Sequence, residues 1–163
     1  MEQIQSYFDG VGGFCKGSTT MQYRVSSIKD INNVIIPHFD KYPLLTQKYA
    51  DFNMFKQVVE LMLNKEHLTP EGIQKIINLK ASINRGLPDK LKAAFPDTKP
   101  VQRPVVELRS IPDPNWIAGF TSAEGCFHVN TSKSATNKLG FRAQLRFTIT
   151  QHSSPCGGGP KRD

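Results

Sequence analysis

Hydrophobic and polar positions alternate without a break from Phe141 to Thr150. Phe141, Ala143, Leu145, Phe147 and Ile149 form one set, and Arg142, Gln144, Arg146, Thr148 and Thr150 the other. A period of two predicts a strand with one apolar and one polar face. "GCFHVNTSK" alternates less strongly, with Phe127 and Val129 on the apolar side and Cys126, His128, Asn130 and Ser132 on the polar side. "SKSATNKLG" joins the two as a turn longer than a two-residue hairpin loop. A weaker alternation in "MQYRVSS" puts Met21, Tyr23 and Val25 toward a core and Gln22, Arg24 and Ser26 outward. The glycine-rich segment before it predicts a tight turn or bulge. Its spacing does not fit a dinucleotide-binding fingerprint.

Helical spacing governs the rest. Ile4, Tyr7 and Phe8 mark the apolar side of a short helix within residues 1–10. Ser27 is placed to cap a helix carrying Ile28, Ile31, Val34 and Ile35, which Pro37 is expected to end. Tyr49 to Asn64 carries Phe52, Phe55, Val59 and Met62 as a core stripe. Thr69 and Pro70 open a further helix with Ile73, Ile76, Ile77 and Ile83 on one side, closed by Gly86. Residues 96–114 hold Pro96, Pro100, Pro104, Pro112 and Pro114 and predict an extended, semi-rigid connector. Asp113 and Pro114 then start a helix that runs to Gly125. The tail, "SSPCGGGPKRD", has no period and predicts disorder.

Composition narrows the classes. The 163 residues are 38% hydrophobic and 21% charged, enough for a packed core. No apolar run approaches the roughly 18 residues of a membrane span, and no membrane partner is expected. Three scattered cysteines, Cys15, Cys126 and Cys156, predict neither a zinc site nor a disulfide framework. His38 beside Asp40 and His67 beside Glu66 do not recur at ligand spacing. The net charge of +7 points to a polyanionic partner, nucleic acid before membrane.

The charge is unevenly placed. From Cys126 to Arg162 there is no acid, and none lies between Asp9 and Asp30, where Lys16, Gln22, Arg24 and Lys29 fall. Arg, Gln, Asn and Thr are the side chains that read base edges, and a two-stranded ribbon fits the DNA major groove. A merely solvated sheet face is the alternative. Glu124 adds a second clue. A carboxylate at a helix C-terminus is poorly placed against the dipole. Beside exposed carbonyls it makes a hard-oxygen site for a divalent cation, and such an ion can activate water for phosphodiester hydrolysis. Ala118, Gly119 and Ser122 would let a second helix approach closely.

"WIAGFTSAEGCFHV" resembles the signature of the LAGLIDADG homing endonucleases, with Ile117 to Gly125 over the nine-residue motif. "IIPHFDKYPLLTQKYADFNMFKQVVELMLNKEHLT" and "KIINLKASINRGL" are similar to the two-motif, single-chain enzymes of fungal mitochondrial introns. The resemblance spans about residues 1–152. It implies an α+β fold of αββαββα halves. The chain would supply the second part of one half (1–95), a Pro-rich linker (96–113) and the αββ start of the next half (114–152), before the tail (153–163). It also implies double-stranded DNA as partner, Mg²⁺ as cofactor, and Glu124 as the metal-binding catalytic acid with the Ala123 carbonyl beside it. The DNA-facing positions it implies are Cys126, His128, Asn130, Ser132, Arg142, Gln144, Arg146 and Thr148, and in the first half Lys16, Gln22, Arg24 and Ser26. Ala118, Gly119 and Ser122 would form the motif-helix interface, and the source would be mitochondrial.

In that family two motif helices each end in an acid. This sequence holds one such motif, so a central fragment with impaired cleavage is expected. Binding of intron RNA without cleavage, or no function, are the competing expectations. Self-association through the apolar sheet faces is a further expectation.

Overall fold

In the computed structural model, residues 1–106, 110–111, 113–136 and 138–150 are described. The chain divides into two compact units, Met1–Leu108 and Arg109–Asp163. The mixture of helices and antiparallel hairpins is the α+β architecture expected from the sequence.

The first unit opens with helix α1 (Glu2–Tyr7). Tyr7 and Phe8 set their rings edge-on against His38, with centroids 5.4 and 5.1 Å away. A turn then leads into β1 (Gly13–Lys16), paired antiparallel with β2 (Met21–Arg24). Gly12 makes the hairpin's entry. Its φ is +79°, and a Cβ there would stand 2.7 Å from the Arg24 carbonyl oxygen. The glycines that suggested only a turn therefore conceal a strand.

Ser27 caps α2 (Ile28–Asp30), its hydroxyl accepting from the Asp30 N–H at 3.3 Å. Pro37 does not end this run. A π-helical turn, Ile31–Ile35, carries it into α3 (Ile36–Lys41), with Pro37 near the α3 start. A wide turn replaces the i→i−4 ladder where the proline ring would otherwise collide, so the helix passes its expected stop.

Helix α4 (Lys48–Leu63) buries Ala50, Phe52, Met54 and Val59. At 100° per residue, Phe52 and Val59 lie on one side of the helix and Ala50 and Met54 on the opposite side. The helix is therefore covered on two sides, not along one stripe. Phe55 and Met62, expected in the core, sit at the margin and are exposed. Phe52 and Val59 join Ile36 in a cluster flanked by Ile28, Ile31, Phe39 and Leu44. Thr69 caps α5 (Pro70–Ser82) by accepting from the Gly72 N–H at 3.0 Å. Ile77 and Leu79 are its buried apolar side chains. A short helix not expected from the sequence, α6 (Asp89–Ala94), follows.

The second unit is α7 (Pro114–Glu124) followed by the hairpin of β3 (Gly125–Lys133) and β4 (Phe141–Ile149). Asp113 caps α7, its Oδ1 accepting from the Asn115 and Trp116 N–H groups at 2.7 and 3.2 Å. None of its described residues is buried. The tail expected to be disordered lies outside the described residues. Among the described residues no helix is long and apolar enough to cross a membrane.

Candidate nucleic-acid interface

The β3–β4 register sets Cys126 opposite Thr148, His128 opposite Arg146, Asn130 opposite Gln144 and Ser132 opposite Arg142. Directly opposed residues share a face, and so do alternate residues of one strand. All eight side chains named from the sequence therefore stand on one face. Phe127, Val129, Leu145, Phe147 and Phe141 stand on the other. The polar face is lightly tied down. Arg142 Nε donates to Ser132 Oγ at 3.1 Å, and Cys126 Sγ lies 3.9 Å from His128 Nδ1. With two arginines and no carboxylate the face is cationic, and its amides and hydroxyls carry the donor and acceptor mixture that base edges require.

The first hairpin is different. Gln22 lies opposite Cys15, and Arg24 opposite Gly13. These form one face, on which Arg24 Nη2 donates to Gln22 Oε1 at 3.1 Å. Lys16 lies opposite Met21, on the face of Phe14 and Tyr23, and so does not share a face with Gln22 and Arg24. Ser26 falls beyond the last paired residue of β2. Reading Lys16 with Gln22 required a register that the loop between them hides. Cys15 joins the Gln22 face and was not named from the sequence for the same reason.

Glu124 ends α7, and Gly125 is already the first residue of β3, so no loop separates the acid from the polar ribbon. Gly125 is required by crowding. A Cβ there would stand 2.5 Å from the Thr121 carbonyl oxygen. The Thr150 N–H donates to the Glu124 carbonyl at 3.3 Å, tying the helix end to the end of β4. The carboxylate is exposed and, among the described residues, forms no ion pair. The Ala123 carbonyl lies in the last helical turn, where the helix supplies no partner.

Among the described residues no three His, Cys, Asp or Glu side chains gather closely enough to hold a metal. Glu124 and the Ala123 carbonyl supply hard oxygens suited to Mg²⁺ or Ca²⁺, and a cation there would complete its shell with water and ligand oxygens. On α7 the small residues Ala118, Gly119 and Ser122 are exposed. A Cβ at Gly119 would meet nothing within 4 Å, and the Ser122 hydroxyl turns back to donate to the Ala118 carbonyl at 2.8 Å.

The LAGLIDADG endonuclease family model matches residues 1–59 and 117–156, and the chain belongs to that family. It is 49% identical over 150 residues to the probable intron-encoded endonuclease 3 of Neurospora crassa, covering 90% of this chain and 28% of that protein. With the probable intron-encoded endonuclease 2 of the same organism it shares 43% over 162 residues, 92% of this chain and 34% of the relative. The crystal structure of the LAGLIDADG homing endonuclease I-SmaMI bound to cleaved DNA superposes with a TM-score of 0.89 at 46% identity, over 93% of this chain and 51% of that one. I-SmaMI has also been solved on uncleaved DNA in the presence of calcium ions. The chain thus spans about half the length of these solved relatives and about a third of the curated ones.

Proposed function

We propose that this chain binds double-stranded DNA and contributes to site-specific cleavage as part of an intron-encoded homing endonuclease of mitochondrial origin. The observation that carries the reading is the β3–β4 register, which gathers eight polar side chains, Arg142, Gln144, Arg146 and Asn130 among them, on one cationic face directly after Glu124. Arg142, Gln144 and Arg146 would read base edges with Asn130, while His128, Cys126, Ser132 and Thr148 complete the face. On the first hairpin Gln22 and Arg24 are the candidate DNA contacts, and Lys16 and Ser26 are candidate backbone contacts. Ala118, Gly119 and Ser122 would seat a second motif helix.

Glu124 and the Ala123 carbonyl would hold a divalent cation, Mg²⁺ in this reading. When bound, such an ion lowers the pKa of coordinated water and offsets charge on a scissile phosphate. The protein's own part is to place a carboxylate at a fixed distance from the ribbon and keep it free of competing cations. Glu124 is the acid of this kind within the 163 residues, and the cleavage to which this chain contributes is expected to depend on it.

The test combines binding and cleavage. Duplex binding should weaken steeply with salt, the log–log slope growing by about 0.9 for each phosphate contacted. Arg146→Ala and Gln144→Ala should relax sequence preference, each by about 1–3 kcal/mol of discrimination, whereas Lys138→Ala should weaken binding uniformly. Glu124→Gln should remove Mg²⁺-dependent cleavage and leave binding in place. A salt slope near zero, or tighter binding to folded intron RNA than to duplex, would reject the DNA reading. Cleavage that persists unchanged in Glu124→Gln would reject the role given to this acid.

A further inference from the structure

Residues 96–106 were expected to be a connector, yet they run along α5 as a strap. The Lys99 N–H donates to Asn78 Oδ1 at 3.0 Å, and the Val101 N–H to the Asn78 carbonyl at 3.3 Å. Ser82 Oγ donates to the Val101 carbonyl at 2.6 Å. The two strap N–H groups used are those flanking Pro100, which has none to offer. Arg103 holds the far end. Its Nη1 donates to Asp51 Oδ1 at 2.9 Å and to the Ser82 carbonyl, and its Nη2 to the Gln47 carbonyl at 3.3 Å. Asp51 lies in the first turn of α4 and Ser82 is the last residue of α5. An anion at a helix start and a cation at a helix end are the placements the dipoles favour, and one guanidinium serves both. The Arg103 and Asp51 side chains are only 24% and 16% exposed, so the pair is shielded from the screening that weakens surface pairs.

We infer that Arg103 is a positioning residue for DNA binding: it docks the strap on the first unit and so shortens the tether to the motif helix. This rests on the proposed reading that both hairpins engage one duplex. With the strap docked, the sequence between it and α7 is residues 107–113. With the strap released, it becomes residues 96–113. The effective concentration of a second binding element falls roughly as the −3/2 power of tether length. Release should therefore cost about fourfold in affinity for a duplex held by both units. Pro100 and Pro104 restrict the free strap and reduce the entropy lost when it docks.

The experiment uses the full chain, with Arg103→Ala and Arg103→Lys. The probes are a duplex recovered by the wild-type chain from a randomised library, and the two halves of that duplex. Hydrogen exchange at Lys99 and Val101 reports docking without DNA. Both amides should be protected in wild type and exchange freely in Arg103→Ala, with full-duplex affinity about fourfold lower and half-duplex affinities unchanged. Arg103→Lys keeps one charge toward Asp51 but lacks the fork for both carbonyls, so it should fall between. If full and half duplexes weaken together, Arg103 only stabilises the fold and the inference fails. It fails too if the amides stay protected in Arg103→Ala. Should wild type bind no duplex, the nucleic-acid reading fails and the tethering role with it, while exchange still reports whether the strap is docked.

Discussion

The two units are built on opposite economies of apolar surface. The first holds all the buried hydrophobic side chains found among the described residues, from Ile36 to Leu87. Its middle helix is covered on both sides. The second has an equally clear apolar pattern, but Phe127 and Leu145 are 77% and 82% exposed. Local rules are satisfied in both. The helix caps form, the ladders pair, and aromatic rings meet across strands, as Phe127 and Phe147 do at 4.9 Å. What differs is whether a second layer is present. Capping and cross-strand pairing specify the shape of an element, while burial supplies most of its stability. Among the described residues the second unit is therefore a well-defined shape with little buried apolar surface to stabilise it.

The sharpest test of this contrast is Met54→Ala. Met54 is fully buried, so the change should cost the first unit about 2–5 kcal/mol. Helical circular dichroism follows that unit, whereas the single tryptophan, Trp116, lies on α7 and follows the second. Ellipticity should melt earlier and Trp116 fluorescence should not. A common shift in both would mean that the units unfold as one. Next in size is Asp113→Ala, which removes the acceptor for two N–H groups and should cost α7 about 1 kcal/mol. That change should move the fluorescence transition alone.

A smaller effect concerns pH. Burial among aromatic rings, and after it the charge of Lys41, lower the His38 pKa below its ordinary 6.5. The unfolded chain then binds this proton more readily than the folded one. Stability of the first unit should be full above 6.5 and fall as pH drops through that value. Comparing wild type with His38→Phe between pH 7.5 and 5.5 isolates this contribution, and a gap that stays constant would disprove it. Smallest of all, Leu145→Ala should change stability by no more than about 0.5 kcal/mol, because the side chain is already in water. A loss of 2 kcal/mol or more would show that the apolar ribbon face is covered in solution.

The features legible in the sequence are those decided within a few residues. Ser27, Thr69 and Asp113 cap as expected because a cap needs only the next three residues. The strand faces of β3 and β4 were legible because alternation over nine residues fixes which side each residue takes. The misplaced features depend on partners far along the chain. Lys16 falls on the other face from Gln22 because register is set across the turn at residues 17–20, which local alternation does not count. Met54 was overlooked because a helix covered on both sides has no single stripe. Pro37 was read as a stop because the wide turn that accommodates it leaves no mark in the local sequence. The strap was hidden because Asn78 accepts from both of its docking N–H groups, Ser82 donates to its Val101 carbonyl, and its Arg103 reaches back to Asp51, all partners far along the chain.

The junction at Gly125 makes the second unit a ruler. Successive polar-face residues on β3 are two positions apart, about 6.8 Å, which is about two base-pair steps along a DNA strand. On the proposed reading, the acid would then act at a fixed count of bases from those the ribbon touches. No slack in the backbone could blur that count. Neither could the ruler be lengthened by one mark. One residue inserted after Gly125 would keep the acid in place and turn Cys126, His128, Asn130 and Ser132 to the side now held by Phe127 and Val129. Offset and alphabet are thus set together, and such a chain could change its target by substitution on the ribbon far more readily than by altering the spacing.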